Sequence, residues 1–285
     1  MTRFRRRPLG LVAVAVLVAF VVVGTLAGEL APYYPGQEFV QLIGRAHAPL
    51  TAHHLLGTDP LGRDFLTQLL FSIRETILSA LICAGGATVI GTAVGAFAGY
   101  YGGRFDDVVT WATGVVVAVP AIAVLIIIAI WSQLPVKPLT DGLWLTALLW
   151  PGVGRVVRGT VASLRTGEYV EAAHASGASD LRVIFRHLVP NSSGQIIVAA
   201  TTIIGQSIAI IATVDFLGYG YNQPERPTLG GLIADAANAA SASGTSSIAS
   251  VWWLYAIPAG LLMIVLLAVA FAGDALDDSL NPTTT

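Results

Sequence analysis

The sequence predicts an all-α integral membrane protein with six transmembrane helices, and three observations carry that prediction. Hydrophobic residues fill 55% of the 285 positions and charged residues only 11%, against roughly 45–50% and 25% in soluble domains. The charges are segregated, leaving windows as long as a hydrocarbon core demands, about 20 residues per helix. Glycine is abundant at 30 residues while methionine is rare at 2, which suits helices packed backbone to backbone in lipid.

The charge-free windows run over 8–28, 76–103, 108–136, 187–214 and 236–273. The last opens on a small polar stretch, 239–247, that belongs outside the membrane. Spans are therefore expected over 8–29, 76–103, 108–134, 190–214 and 251–273. A sixth window, 142–154, has only 13 residues, so a span there extends over 142–162 through Arg155 and Arg158, whose long stems can carry their charge to the interface. Together these make one transmembrane domain over 1–285, with outer loops at 30–75 and 215–250 and an inner loop at 163–189.

Orientation follows from Lys and Arg, which accumulate in cytoplasmic segments. With Arg3, Arg5, Arg6 and Arg7 inside, the inner side also holds Arg104, Arg155, Arg158, Arg165, Arg182 and Arg186, 10 cations in all; Arg45, Arg63, Arg74, Lys137 and Arg226 make 5 outside. Both termini are then cytoplasmic. A cleaved signal peptide is the rival reading of the first span, but its apolar stretch is long for an h-region. The net charge of −2 implies no nucleic-acid partner, and Cys83, the lone cysteine, cannot form an internal disulfide.

In the first outer loop, Gly57-Thr58-Asp59-Pro60-Leu61-Gly62-Arg63-Asp64 reads as a tight turn. Asp64 is placed to cap an interfacial helix carrying Phe65, Leu66, Leu69, Leu70 and Ile73. The later outer loop is rich in Gly, Ala, Ser and Pro and offers little to build a core from. No internal repeat is visible.

The inner loop is ordered in its pattern. Residues 168–176 combine good helix formers with acids in the opening turn, and Gly177 breaks the run. Ser179 or Asp180 can cap a second helix in which Leu181, Ile184, Phe185 and Leu188 share one face and Arg182 and Arg186 the other. Pro190 is expected to close it. Periodicity leaves two readings open, a hairpin lying on the membrane surface and a docking element.

At this segment the chain resembles the membrane subunits of binding-protein-dependent ABC importers. Their cytoplasmic signature is matched by Glu171-Ala172-Ala173, Gly177 and Pro190, and His187-Leu188-Val189-Pro190-Asn191 is similar to the form found in the dipeptide, oligopeptide and nickel permease subfamily. The resemblance extends along the chain through Arg7-Pro8-Leu9-Gly10, Leu30-Ala31-Pro32-Tyr33, Gly57-Thr58-Asp59, Gly62-Arg63-Asp64, Ala98-Gly99-Tyr100-Tyr101-Gly102-Gly103, Phe216-Leu217-Gly218 and Gly273-Asp274. The set looks like the second permease subunit of a peptide importer. Two places depart from the subfamily: Ile211-Ala212-Thr213-Val214-Asp215 shifts the usual acid along its helix, and Pro227-Thr228-Leu229-Gly230 replaces the usual Pro-Ser-Trp-Gly.

The resemblance implies a type I ABC importer permease architecture in a bacterial plasma membrane. It implies as partners a second homologous permease subunit, two ATP-binding cassette subunits and an extracytoplasmic substrate-binding protein. ATP and Mg belong to the cassette subunits, and no cofactor is expected in this chain. The inner-loop element, with Glu171, Ala172, Ala173, Gly177, Ala178, Ser179, Asp180 and Leu181 as contact residues, is implied to dock in a groove on the ATPase and transmit its closure as a rigid-body motion. Leu181, Ile184 and Phe185 could anchor the element in that groove or to its own bundle.

The residues exclude other chemistry. A phosphate-binding loop needs Gly-Lys followed by Ser or Thr, and the only lysine, Lys137, precedes Pro138. Adjacent His53 and His54 lack further ligands for a metal. Ser79 and Ser207 have no histidine in register to make them nucleophiles of an intramembrane enzyme. A proton-coupled secondary transporter would carry paired charges within its spans, and a nickel or other small-solute importer remains the alternative within the family. Asp215, where a span meets its outer loop, has two readings, a structural cap or interfacial charge and a contact for a substrate's amino group.

Overall fold

A computed structural model describes residues 8–33, 54–59, 62–132, 138–220, 226–242 and 252–280. The arginines before Pro8, Arg45, His53, Pro60, Leu61, Lys137 and residues 243–250 lie outside that set.

Twelve α-helices and one π-helical turn account for nearly all of the described chain. Three, α3 (Phe65–Tyr101), α10 (Ser193–Phe216) and α12 (Trp252–Leu280), are each long and apolar enough to cross a membrane. The pair α4 (Gly103–Ala118) and α5 (Ala121–Ser132) passes the same test as one broken span, bent by 72°. By length and composition alone the described helices therefore supply three spans, or four with the bent pair. The remaining helices that pack into the bundle are α1 (Pro8–Thr25), short α2 (Ala27–Leu30), α6 (Pro138–Leu164) and α11 (Leu229–Ala242).

The bend has a cause in sequence that the apolar window conceals. Proline pushes the residue before it out of the helical region, and Val119, before Pro120, sits at φ −81° and ψ 125°.

Asp64 caps α3 as its spacing suggests: its carboxylate accepts from the Thr67 amide at 2.9 Å and the Thr67 hydroxyl at 2.8 Å. No break follows, so the expected interfacial helix and the apolar window behind it form one 37-residue helix. The turn before it is closed by Asp59 N–H to the Arg63 carbonyl at 2.9 Å and Phe65 N–H to the Gly57 carbonyl at 3.1 Å. Arg63 is not a free outer cation. It is 2% exposed, pairs with Asp59, and donates to Asp235 of α11 at 3.1 Å. His54 is likewise engaged, with Nδ1 3.0 Å from Asp64 Oδ1.

The centre of the molecule is the seam between α3 and α6. A Cβ added at Gly91 would lie 2.7 Å from the Trp150 carbonyl oxygen, and one at Gly95 would lie 3.1 Å from the Val157 Cβ and the Arg158 amide. With Gly99 these residues recur every fourth position, the small-residue stripe that lets membrane helices touch backbone to backbone. Thr146 fastens the seam, donating to the Gly142 carbonyl at 2.8 Å and lying 3.3 Å from that of Cys83. The apolar core here includes Ala87, Ala96, Leu145, Val153, Val157 and Val161.

On the far side α10 packs between α3, α6, α11 and α12, and α1 lies against α12 and α3. The segment that follows α10 contributes more than its composition suggests. Leu229 and Leu232 of α11 are buried in a second core with Phe65, Leu69 and Leu254. Thr228 accepts from the Gly231 amide at 3.1 Å, and a Cβ at Gly230 would come within 2.9 Å of the Ala212 Cα. Two leucines suffice because glycine and alanine bring the helix so close.

Candidate functional site: the inner-loop element and the Asp215 cavity

Between α6 and α10 the chain forms α7 (Glu168–Ala175), a turn, α8 (Asp180–Val183), a π-helical turn (Ile184–Leu188) and α9 (Val189–Asn191), which leads into α10. Gly177 turns the corner at φ +80°. Its amide donates to the His174 carbonyl at 2.9 Å and the Ala178 amide to the Ala173 carbonyl at 3.0 Å, the paired bonds of a Schellman cap whose left-handed residue is most easily glycine.

After the turn the register departs from α-helical spacing. The Val189 amide reaches the Ile184 carbonyl five residues back, and the wider turn rotates the faces. Val183, Ile184 and Leu188 are fully buried, while Leu181 and Phe185 are each 54% exposed. The two roles open to these apolar residues are thus divided. Val170, Val183, Ile184 and Leu188 join the core at the end of the α3–α6 seam. Leu181 points away from it, and Phe185 lies edge-on to Phe97 of α3, ring centres 6.0 Å apart. Pro190 does not close the pattern; it occupies the first turn of α9, where a missing N–H costs nothing.

Polar contacts tie the element to the seam. The Tyr100 hydroxyl donates to Asp180 Oδ1 at 2.7 Å and lies 3.0 Å from His174 Nε2, so one side chain of α3 holds both arms. Arg165 donates to the Tyr100 carbonyl at 3.0 Å. Arg158 forms an ion pair with Asp106 of α4, Nη2 to Oδ2 at 2.6 Å, in place of the free interfacial position its stem allowed. None of these partners was marked by spacing, because each joins residues more than 50 positions apart.

Of the candidate contact residues, Glu171, Ala172, Gly177, Ser179, Asp180 and Leu181 are exposed and Ala173 and Ala178 half-buried. Nothing lies within 4 Å of a Cβ added at Gly177. The candidate contact residues therefore present mostly small side chains and one large apolar one, Leu181, on an open surface, backed by a fully buried anchor.

At the other end of α10, Asp215 is 2% exposed. Gly218, at φ +81°, ends the helix with a second Schellman cap, its amide donating to the Asp215 carbonyl at 3.0 Å and that of Tyr219 to Val214 at 3.1 Å. This is the physical content of Phe216-Leu217-Gly218. Asp215 and Asp141 of α6 line a cavity of about 30 Å³, the scale of a water or two, walled by Leu125, Trp144 and Tyr219. Asp141 also lines a neighbouring pocket with Glu75 of α3. Three carboxylates from three helices thus gather at this end, although their sequence positions are unrelated. Among the described residues, no group of His, Cys, Asp and Glu is spaced to hold a metal ion.

Residues 91–282 match the family model for the binding-protein-dependent transport system inner membrane component. The oligopeptide transport system permease protein OppC of Mycobacterium tuberculosis is 31% identical, the match covering 99% of this chain and 93% of that protein. The dipeptide transport system permease protein DppC of Alkalihalophilus pseudofirmus is 31% identical over 98% and 88%, and the Bacillus subtilis OppC 29% identical over 99% and 88%. A solved structure of the MetNI methionine ABC transporter in an inward-facing conformation superposes with a TM-score of 0.58 at 18% identity, covering 75% of this chain and 96% of that one. The likeness in fold, the helix-turn-helix element at the base of the α3–α6 seam and the family match over two thirds of the sequence lead to one conclusion: the chain belongs to the family of binding-protein-dependent transport system inner membrane components.

Proposed function

We propose that this chain is the membrane subunit of an ATP-driven importer that, with a second permease subunit, forms the path for di- or oligopeptides across a bacterial plasma membrane. The observation that supports it best is the division of labour in the inner-loop element. A rigid lever needs a fixed end and a free end; here Val183, Ile184 and Leu188 are buried in the bundle while Gly177 and Leu181 stand open. One of the two ATP-binding cassette subunits docks there; the pair supplies ATP and Mg, and its closure pulls the seam. This chain carries no catalytic group of its own. The peptide assignment draws on relatives named for oligopeptide and dipeptide transport.

In this reading six spans cross the membrane with both termini inside. Segments 163–189 lie in the cytoplasm and 30–75 and 215–250 outside, where a separate binding protein delivers cargo. Reconstitution of the chain with its second permease, cassette subunits and binding protein in proteoliposomes tests the proposal. ATP-dependent accumulation of labelled di- and tetrapeptides is expected. Accumulation of nickel alone, or peptide uptake driven by a proton gradient without ATP, contradicts it.

A further inference from the structure

The outward faces of the membrane-crossing helices differ in chemistry. Past Arg74, the exposed residues of α3 are Leu78, Leu81, Gly85, Val89 and Ile90, with Tyr101 at its last position. On α12 those from Trp252 to Phe271 are likewise apolar, among them Met263, Ile264 and Leu267. Such faces suit lipid. On α10, exposed Thr202, Gln206 and Thr213 and half-buried Gln195 fall on one line. At about 100° per residue these four lie within an arc of roughly 40°, and at about 1.5 Å per residue they extend some 27 Å, nearly the depth of a hydrocarbon core. Asp215, the one charged residue of the helix, stands in its last turn, two residues past Thr213.

The threonines satisfy their hydroxyls on their own helix, Thr202 donating to the Val198 carbonyl at 3.1 Å and Thr213 to that of Ala209 at 2.7 Å. Gln206 does not. It stands near the middle of a 24-residue helix, exposed, without a side-chain hydrogen bond to any described residue. A carboxamide turned to hydrocarbon keeps unmet donors and an unmet acceptor. Gln206 instead lines a cavity of about 300 Å³ with Gln195 and Thr202, bounded by Gly152 and Val156 of α6 and Asp277 of α12.

We infer that the line of Gln195, Thr202, Gln206 and Thr213 is a water-facing wall of the substrate path, and that the Gln206 carboxamide receives the main chain of the passing peptide. A carboxamide offers the donor and acceptor that a peptide bond needs. It reads no side chain, and the α10 line itself carries no charge, Asp277 of α12 standing at the border of the cavity. The second half of this inference rests on the peptide reading above; the first does not.

The test uses the assembled importer in proteoliposomes, in a Cys83→Ser background, with single Thr202→Cys, Gln206→Cys, Leu81→Cys and Leu267→Cys variants. Each is treated with a charged methanethiosulfonate reagent and, separately, with a lipid-soluble maleimide. Cysteines at 202 and 206 are expected to react with the charged reagent at least tenfold faster than those at 81 and 267, and a neutral tripeptide with its binding protein should slow them severalfold. Reaction at 206 only with the lipid-soluble reagent, or with neither, overturns the wall. Fast labelling without peptide protection keeps the wall and overturns the main-chain contact. Gln206→Leu should then lower uptake of acidic, basic and neutral tripeptides by the same factor, about tenfold, with subunit stoichiometry unchanged; a loss confined to one class also overturns that contact. Labelling requires no knowledge of cargo, so an importer of another solute would fail the peptide reading while position 206 still reacted fast.

Discussion

Replacing Gly177 by Asn, Ala and Trp separates the strain of its turn from what docks upon it. At φ +80° an L side chain costs about 1–2 kcal/mol, with Asn the most tolerated. Because a Cβ there meets nothing within 4 Å, Ala and Trp impose nearly the same cost on the isolated chain. Set against a fold stable by about 5–15 kcal/mol, that leaves more than 99% folded. Any further difference between Ala and Trp measures bulk against a partner. In the reconstituted importer, Asn is expected to transport near the wild-type rate. Ala, whose strain is the same in the free and docked chain and whose methyl adds little bulk, should dock within a fewfold of wild type. Trp should lose uptake altogether, either hydrolysing ATP without transport or losing the cassette subunits on purification. The assay pairs peptide uptake with ATP turnover and stoichiometry, and equal behaviour of Ala and Trp would refute the docking argument.

Four other substitutions test the packing and the site. Gly95→Leu must push Val157 and the Arg158 backbone away, at a cost of about 1–3 kcal/mol or more; a lowered melting temperature of the detergent-solubilised chain is expected, and an unchanged one contradicts the α3–α6 seam. Arg63→Ala removes the guanidinium that pairs with buried Asp59 and reaches Asp235, so a loss of about 3 kcal/mol should appear in denaturant titration, whereas Asp235→Asn, at a partly exposed partner, should cost under about 1 kcal/mol. Asp215→Asn is expected to weaken uptake of peptides with free amino termini more than of amino-blocked ones; equal loss assigns Asp215 a structural role.

What the sequence made legible was what depends on local or periodic chemistry. The Asp64 cap needs only four residues, the Gly177 turn only six, and the apolar windows report lipid directly. Pro120 was visible too, yet a window defined by absence of charge runs straight through it. Leu181 and Phe185 part from the buried face of Ile184 and Leu188 because a π turn shifts the register without any residue that announces it. The Tyr100–Asp180 bond, the Arg158–Asp106 pair and the gathering of Glu75, Asp141 and Asp215 join distant positions, and only the fold brings them together.

The central claim, that the element from Glu168 to Pro190 is the docking site for the ATP-hydrolysing subunits, is tested most directly by single cysteines at positions 172 and 181 with one at 163 as reference, in the Cys83→Ser background. Ala172, Leu181 and Ser163 are all exposed in this chain. Alkylation by a small maleimide is timed on the solubilised chain alone and on the assembled importer. Protection of at least tenfold at 172 and 181, with 163 unchanged, is the result this account predicts. Equal rates in both states at 172 and 181, in a complex shown to contain its cassette subunits, would contradict it.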